Sequence, residues 1–327
     1  MVACRTKRSS QPVNSYCITL TDGRLAEWHE WGESINPRAV ILYCHGTPGS
    51  GLESEVFERQ ALAEKILVIS PNRPGLGGST FLRDRTVENW AEDAAQILEY
   101  KGIAQCMVLG YSGGTPHALA FAALFPLKVE ALGLIAPFTH DDGFSARLEQ
   151  ILVPVTTKIQ QFLYKNLRFS ASQYVLGVLG CALSWLFPTS PIEENKQGQG
   201  RGRWWDADLL RALGQRNETS SYLENMVRSH SYAFRQNSHG AVQDFKAIYG
   251  SWPLPTRNSV RTIPTVVWLG ERDQVINRAG ARELSTELQA LFRTFPQRGH
   301  TSLFALHADD ILKDLADLPQ DYAVSCG

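Results

Sequence analysis

The chain lacks most of the features that announce a partner or a cofactor. A formal net charge of -1 over 327 residues leaves no basic stripe above background, which removes nucleic acid as the main partner. No H-E-x-x-H, no cysteine cluster and no dinucleotide fingerprint occurs, so neither a metal nor an organic cofactor is expected. Gly75-Leu76-Gly77-Gly78 is glycine-rich like a phosphate loop, but no lysine follows it. The six cysteines show neither disulfide-framework nor zinc spacing. Cys17, Cys44 and Cys106 fall in strand-like runs, Cys4 and Cys326 lie near the ends, and reduced, mostly buried thiols are the expectation. The amino terminus, MVACRTKRSSQP, has no apolar core of the secretory kind. Arg5, Lys7 and Arg8 without acids give it a trace of transit-peptide composition, and a frayed tail is the simpler reading. A cytoplasmic protein is therefore expected, in which the sequon Asn217-Glu218-Thr219 has no meaning. An integral membrane segment is not expected either. The apolar stretch 174–187 falls short of the about 20 residues that span a bilayer, and it carries Gly177 and Gly180.

What is present is enough apolar residue, 43% of the chain, to bury a large core, either as one domain with a sizeable insertion or as two domains. The stretch MVLGYSGGTPHALA, residues 107–120, organises the rest. Met107, Val108 and Leu109 make a buried-strand run that breaks at Gly110, and a helical pattern begins after Gly114. Between them stands Gly110-Tyr111-Ser112-Gly113-Gly114. This G-x-S-x-G lies where a strand turns sharply into a helix, and small neighbours spare a strained serine from clashes. A nucleophile held this way requires an oxyanion donor earlier in the chain, then an acid and a histidine later, in that order.

Upstream, residues 15–20 and 25–31 read as an antiparallel hairpin turning on Asp22-Gly23. The run AVILYC at 39–44 reads as a strand covered on both faces and leads into His45-Gly46-Thr47-Pro48-Gly49. A helical patch around Phe57 and Leu62 precedes a strand at 66–70, which empties into Asn72-Arg73-Pro74-Gly75-Leu76-Gly77-Gly78-Ser79. A helix is expected over 86–100 with Thr86 as its cap, and a further strand over 129–136. Strands alternating with helices predict a mostly parallel sheet wound on both faces, an α/β fold. From Pro137 to about Arg261 the alternation stops. Residues 148–167, 172–187 and 206–236 look helical and 193–203 polar and glycine-rich, which predicts a helical lid of residues 138–260 between core segments 1–137 and 261–327. A strand at 265–269, a helix at 279–291, a short strand at 291–295 and a helix at 302–315 close the chain.

The later segment meets the demand of the serine. Gly270-Glu271-Arg272-Asp273 closes one strand and Gly299-His300 follows the next, which gives the order Ser112, Asp273, His300. With HGTPG at 45–49, NRPGLGGS at 72–79, GYSGG at 110–114, GERD at 270–273 and GH at 299–300, the chain resembles the α/β-hydrolase superfamily, in particular serine-type members with a helical cap after the sixth strand. The resemblance spans nearly all of the chain outside the cap. It implies an α/β-hydrolase fold whose serine hydrolase activity cleaves an ester, thioester or lactone of a hydrophobic small molecule. The same triad also serves carbon-carbon hydrolases, acyltransferases, cyclases and aminopeptidases, and a non-catalytic ligand sensor can be built on the same fold. One departure stands out: many relatives carry Asp where this chain has Asn72, so an ion pair of that residue with Arg73 is missing and the loop is expected to lose a brace.

Chemically, a serine hydroxyl needs a base, histidine titrates near working pH, and an aspartate fixes its tautomer. The backbone N–H groups of Thr47 and Gly113 are the candidate oxyanion donors, because Pro48 has no N–H to give. Glu271, Asp141 and Asp142 compete with Asp273 for the acid. Tyr111 and His45 are candidate pocket residues, each with a packing role as its rival, and for His45 bracing its loop is the stronger reading. His117 is expected to pack inside the elbow helix. His140, His230 and His239 fall in the lid region, Trp204 and Trp205 read as lid packing, and an exposed apolar lid surface could pair two copies.

Overall fold

The computed structural model describes residues 14–139, 158, 217–252, 263–273 and 275–325. Eight strands form one sheet in the order β1-β2-β4-β3-β5-β6-β7-β8. They are β1 Ser15–Thr19, β2 Leu25–Gly32, β3 Ala39–Cys44, β4 Ile66–Pro71, β5 Cys106–Tyr111, β6 Val129–Ile135, β7 Thr265–Gly270 and β8 Leu291–Phe295. The first hairpin is antiparallel, β2 meets β4 antiparallel, and every pairing from β4 to β8 is parallel. Successive residues of a central strand face opposite sides. In β3, Ile41 and Tyr43 join one apolar core while Leu42 and Cys44 join the other, all at 0% exposure, so the AVILYC run needs no polar face.

Helices α1 (Glu58–Ala63), α2 (Val87–Tyr100), α3 (Thr115–Leu124), α4 (Asn217–Ala233), α5 (His239–Tyr249), α6 (Arg278–Glu287) and α7 (His300–Ser325) accompany the sheet. The core around α2, α3 and α6 lies on one face, and that around α1 and α7 on the other. Thr86 starts α2 as expected, its backbone N–H donating to the Asn89 side chain at 3.0 Å. The helix expected to run to residue 291 stops earlier because Gln289 takes a left-handed φ of 53°, which frees Leu291 to begin β8. The last helix is longer than expected and kinks at His307, whose φ of -128° is non-helical.

Of the expected lid, residues 148–157, 159–167, 172–187, 193–203 and 206–216 lie outside the described residues. Helices α4 and α5 follow β6 in the chain and are tied to its first half. Ser229 on α4 accepts from the Ser50 N–H at 3.0 Å, and Asn225 donates to the Leu52 carbonyl at 2.8 Å. No helix among the described residues is long and apolar enough to cross a membrane. Strand order reverses direction between β3 and β5, so the loops leaving their carboxyl ends, 45–49 and the serine turn, sit side by side, where open parallel sheets form crevices.

Candidate active site

Strand β5, buried throughout, delivers the chain to Ser112 at a φ of 51°. A non-glycine residue there costs roughly 1–3 kcal/mol and persists where the surroundings over-determine it. The surroundings do so here. A Cβ on Gly114 would stand 2.0 Å from the Cys44 carbonyl oxygen, and one on Gly113 would stand 2.6 Å from the Thr47 side chain. A short 3-10 turn, Ser112–Gly114, then runs into α3.

Ser112 Oγ lies 3.0 Å from His300 Nε2, and His300 Nδ1 lies 2.9 Å from Asp273 Oδ2. With Nδ1–H donating to the carboxylate, Nε2 carries a lone pair and accepts the serine proton. The other Asp273 oxygen accepts from the N–H groups of Val275 and Ile276 at 2.8 and 2.9 Å. Burial pushes this carboxyl up, but the neighbouring His300 and the two backbone donors outweigh it and hold it below the usual aspartate value. Glu271, its rival, is exposed and accepts from the Thr294 hydroxyl at 3.2 Å, away from the histidine. Asp141 and Asp142 lie outside the described residues.

On the opposite side of Ser112, Thr47 and Gly113 are brought together: a Cβ on Gly113 would meet the Thr47 nitrogen at 3.2 Å. The loop carrying Thr47 is held at several polar atoms. Arg73 donates to the carbonyls of His45 and Gly46 at 2.5 and 2.8 Å and to the Thr47 hydroxyl at 2.8 Å. Glu53 accepts from the Gly46 N–H at 2.7 Å and from the Tyr43 hydroxyl at 2.8 Å. The Thr47 hydroxyl donates to Asp244 Oδ2 at 2.7 Å, and Asp244 also pairs with Arg73 at 2.7 Å and Arg85 at 2.5 Å. All three charged side chains of that pairing are at 0% exposure. Burial alone would raise the Asp244 carboxyl; the two guanidinium groups overcome it and hold the group far below the usual range.

The missing brace at Asn72 is thereby corrected. Arg73 takes Asp244, 171 residues away, as its counterion, while Asn72 donates to Glu27 at 2.6 Å and accepts from the Gly51 N–H at 2.7 Å. An amide bonds both an acceptor and a donor, which a carboxylate could not do.

The other candidates are dispersed. Tyr111 is buried and stacks on His300 and Phe304, with centroids 5.3 and 4.5 Å apart, so its ring backs the histidine. His45 is fully buried and bonds its neighbour's carbonyl, Gly46, at 3.0 Å; its ring presents no open surface to a pocket in this conformation, which leaves it the bracing role. His117 packs inside the elbow helix with Nδ1 3.3 Å from the Gly113 carbonyl. His230 is half-buried against the Pro48 carbonyl, while His239 is exposed beside Phe81. His140, Trp204 and Trp205 lie outside the described residues. Sequence reasoning missed Glu53, Arg85 and Asp244. Only Asp244 left a signal: it interrupts the buried stripe Gly240, Ala241, Ala247, Ile248 of α5 at helical spacing, where a charge demands partners.

The sequence profile of the alpha/beta hydrolase fold matches residues 39–305, from β3 through the candidate histidine. The chain belongs to the alpha/beta-hydrolase family. As such it is a hydrolase, and the serine turn and the loops around it occupy the sheet edge where this fold carries chemistry. Among curated proteins it is 24% identical to a proline iminopeptidase of Neisseria gonorrhoeae, over 90% of this chain and 94% of that one. It is 30% identical to a bifunctional esterase/perhydrolase of Acinetobacter calcoaceticus over a shorter stretch, 33% of this chain and 39% of that one. A solved carboxylesterase of the thaumarchaeon Nitrososphaera gargenis shares the fold, with a TM-score of 0.64 at 16% identity over 93% of this chain and 99% of that one.

Proposed function

We propose that this α/β hydrolase cleaves an ester, thioester or lactone of a hydrophobic small molecule through an acyl-enzyme on Ser112. One observation carries the reading: the imidazole of His300 bridges the Ser112 hydroxyl and the Asp273 carboxylate at 3.0 and 2.9 Å. In the first step Oγ attacks the carbonyl carbon while its proton passes to His300 Nε2. The oxygen that gains the electron pair faces the N–H groups of Thr47 and Gly113. Collapse breaks the bond to the leaving group, which takes the proton from Nε2. Water then repeats the sequence on the acyl-serine, Nε2 taking its proton and returning it to Oγ as the acid departs. Asp273 remains ionised throughout and stabilises the imidazolium. Ser112→Ala should lower turnover of p-nitrophenyl esters by at least about 10,000-fold; undiminished turnover refutes the reading.

A second reading, release of an amino-terminal residue from a peptide, draws support from the iminopeptidase relative that matches along almost its whole length. It uses the same side chains. Proline p-nitroanilide turned over with a higher kcat/KM than any p-nitrophenyl ester would favour it.

A further inference from the structure

The oxyanion side of the site holds a residue that the serine-histidine-aspartate scheme does not use. Asp244 sits on α5, far along the chain from both donor loops, yet it bonds the Thr47 loop directly and stands across His117 from the other. Its Oδ2 receives the Thr47 hydroxyl at 2.7 Å, a contact across 197 residues. Its Oδ1 stands 3.9 Å from Nε2 of His117, whose Nδ1 lies 3.3 Å from the carbonyl oxygen of Gly113. Arg73 and Arg85 fix the carboxylate from the remaining directions, and Arg73 bonds the Thr47 hydroxyl and the two carbonyls before it. We propose that Asp244 is a positioning residue of the oxyanion hole, the support through which α5 holds the Thr47 N–H donor in place.

The physical case is one of tolerance. Donors act when they lie about 2.7–3.1 Å from the oxyanion, and a misplacement of about 1 Å can cost about 100-fold in rate. A threonine hydroxyl locked between a carboxylate and a guanidinium leaves its own peptide little freedom. The stabilising value of a buried ion cluster is often small, so geometry is the better reason for charges in this place. The inference rests on the reading of Ser112 as nucleophile. It adds that a helix contributing no reacting group controls the rate.

Thr47→Val tests it directly, because the variant keeps the backbone N–H and the Asp244 pairs with both arginines but removes the hydroxyl that links them. The expected result, in protein whose near-ultraviolet circular dichroism matches wild type, is kcat down about 10- to 100-fold with KM within about twofold. Affinity for a trifluoromethyl ketone, which forms an oxyanion on the serine, should fall by the same factor as kcat/KM. Asp244→Ala, which removes both acceptor oxygens, should lose at least as much, and the double variant should be no worse than Asp244→Ala alone, since the Thr47 bond is already gone there. If Asp244→Ala does not fold, Thr47→Val decides alone. Wild-type kcat in folded Thr47→Val, an unchanged ketone affinity despite lower kcat, or losses that multiply in the double variant would each overturn the proposal. Wild-type protein without Ser112-dependent turnover would sink the hydrolase reading and this inference with it. Wild-type turnover matched by Thr47→Val sinks this inference alone.

Discussion

The two sides of Ser112 are built in opposite ways. The proposed acid and base, Asp273 and His300, come from loops at the ends of β7 and β8, only 27 residues apart, and Asp273 is steadied by backbone N–H groups two and three positions along. The His300 side chain is 14% exposed. The proposed oxyanion side rests on charges at 0% exposure, and its bonds to Asp244 cross 197, 171 and 159 residues. The difference follows from what each side does. A base must take up and return protons, so it can sit near solvent on a short loop. Donors that stabilise a transient charge are effective because they do not reorganise when it forms, so they gain from a fixed frame.

The comparison breaks most visibly if the acid is wrong. Asp273→Asn should keep the geometry but favour the wrong tautomer, lowering kcat by about 10,000-fold with little change in folding. Glu271→Gln, two positions away and exposed, should change kcat by less than about twofold. Steady-state kinetics on the two variants decides it: the reverse pattern would move the acid to Glu271 and dissolve the short-loop account of this side.

Acid titration of stability separates the sides next. His29, His45 and His117 are buried and His230 is half-buried around Thr47 and its neighbours, where His29 lies 3.3 Å from Asn72. Burial drives all four below the ordinary value of 6.5, His29 and His230 to about 4. Between the two values the unfolded chain binds protons that the folded chain refuses, so stability falls as pH drops through the window from about 6.5 toward about 4. Each histidine adds a slope of about 1.4 kcal/mol per pH unit. Burial raises Glu53 and Asp93, which opposes part of that slope, whereas Asp244 and Asp273 are depressed and keep their contribution until the pH is below the ordinary carboxylate range. Urea midpoints should therefore decline well before the carboxylates titrate, and His230→Gln should flatten the decline. A midpoint constant from neutral pH to about pH 4.5 would contradict the assignment of neutral buried histidines.

Those same contrasts explain what could be read from the sequence. β3, β4, β5 and β7 announce themselves because a strand covered on both faces is apolar at nearly every position, and Ser112, Asp273 and His300 lie in turns whose glycines punctuate strand ends. Asp273 and His300 were legible because each follows a strand end at a glycine, although His300 meets Ser112 across 188 residues. The oxyanion frame was not: Asn72 looked like a lost brace because its neighbour's counterion stands 171 residues downstream, and nothing adjacent to Asp244 says which loop it will meet. The end of α6 was misjudged for a related reason, since the left-handed turn at Gln289 uses no glycine to mark it.

Asn72 gives a third test of intermediate size. Asn72→Asp would set a second carboxylate against Glu27, with which the amide now bonds at 2.6 Å, and Glu27 is itself 1% exposed. Arg73 cannot relieve the conflict, because Asp244 already holds it. The substitution should cost about 1–3 kcal/mol in urea unfolding and leave KM unchanged. Stabilisation would mean that Arg73 can be shared, and that the Asp244 anchor is dispensable.

The smallest effect is expected at the rim of the same frame. Arg228 on α4 pairs with Glu55 at 2.6 Å, but the side chains are 53% and 31% exposed. In water such a pair contributes at most about 1 kcal/mol and weakens with salt. Asn225 donates to the same Glu55 carboxylate at 2.9 Å from a more buried position and would keep α4 seated. Arg228→Ala should thus shift the urea midpoint slightly at low ionic strength, not at all in high salt, and leave kcat unaltered. A loss of several kcal/mol, or a drop in kcat, would place the support of the Thr47 loop in its outer contacts instead of its buried charges, since only then would a solvent-screened pair matter to the donors.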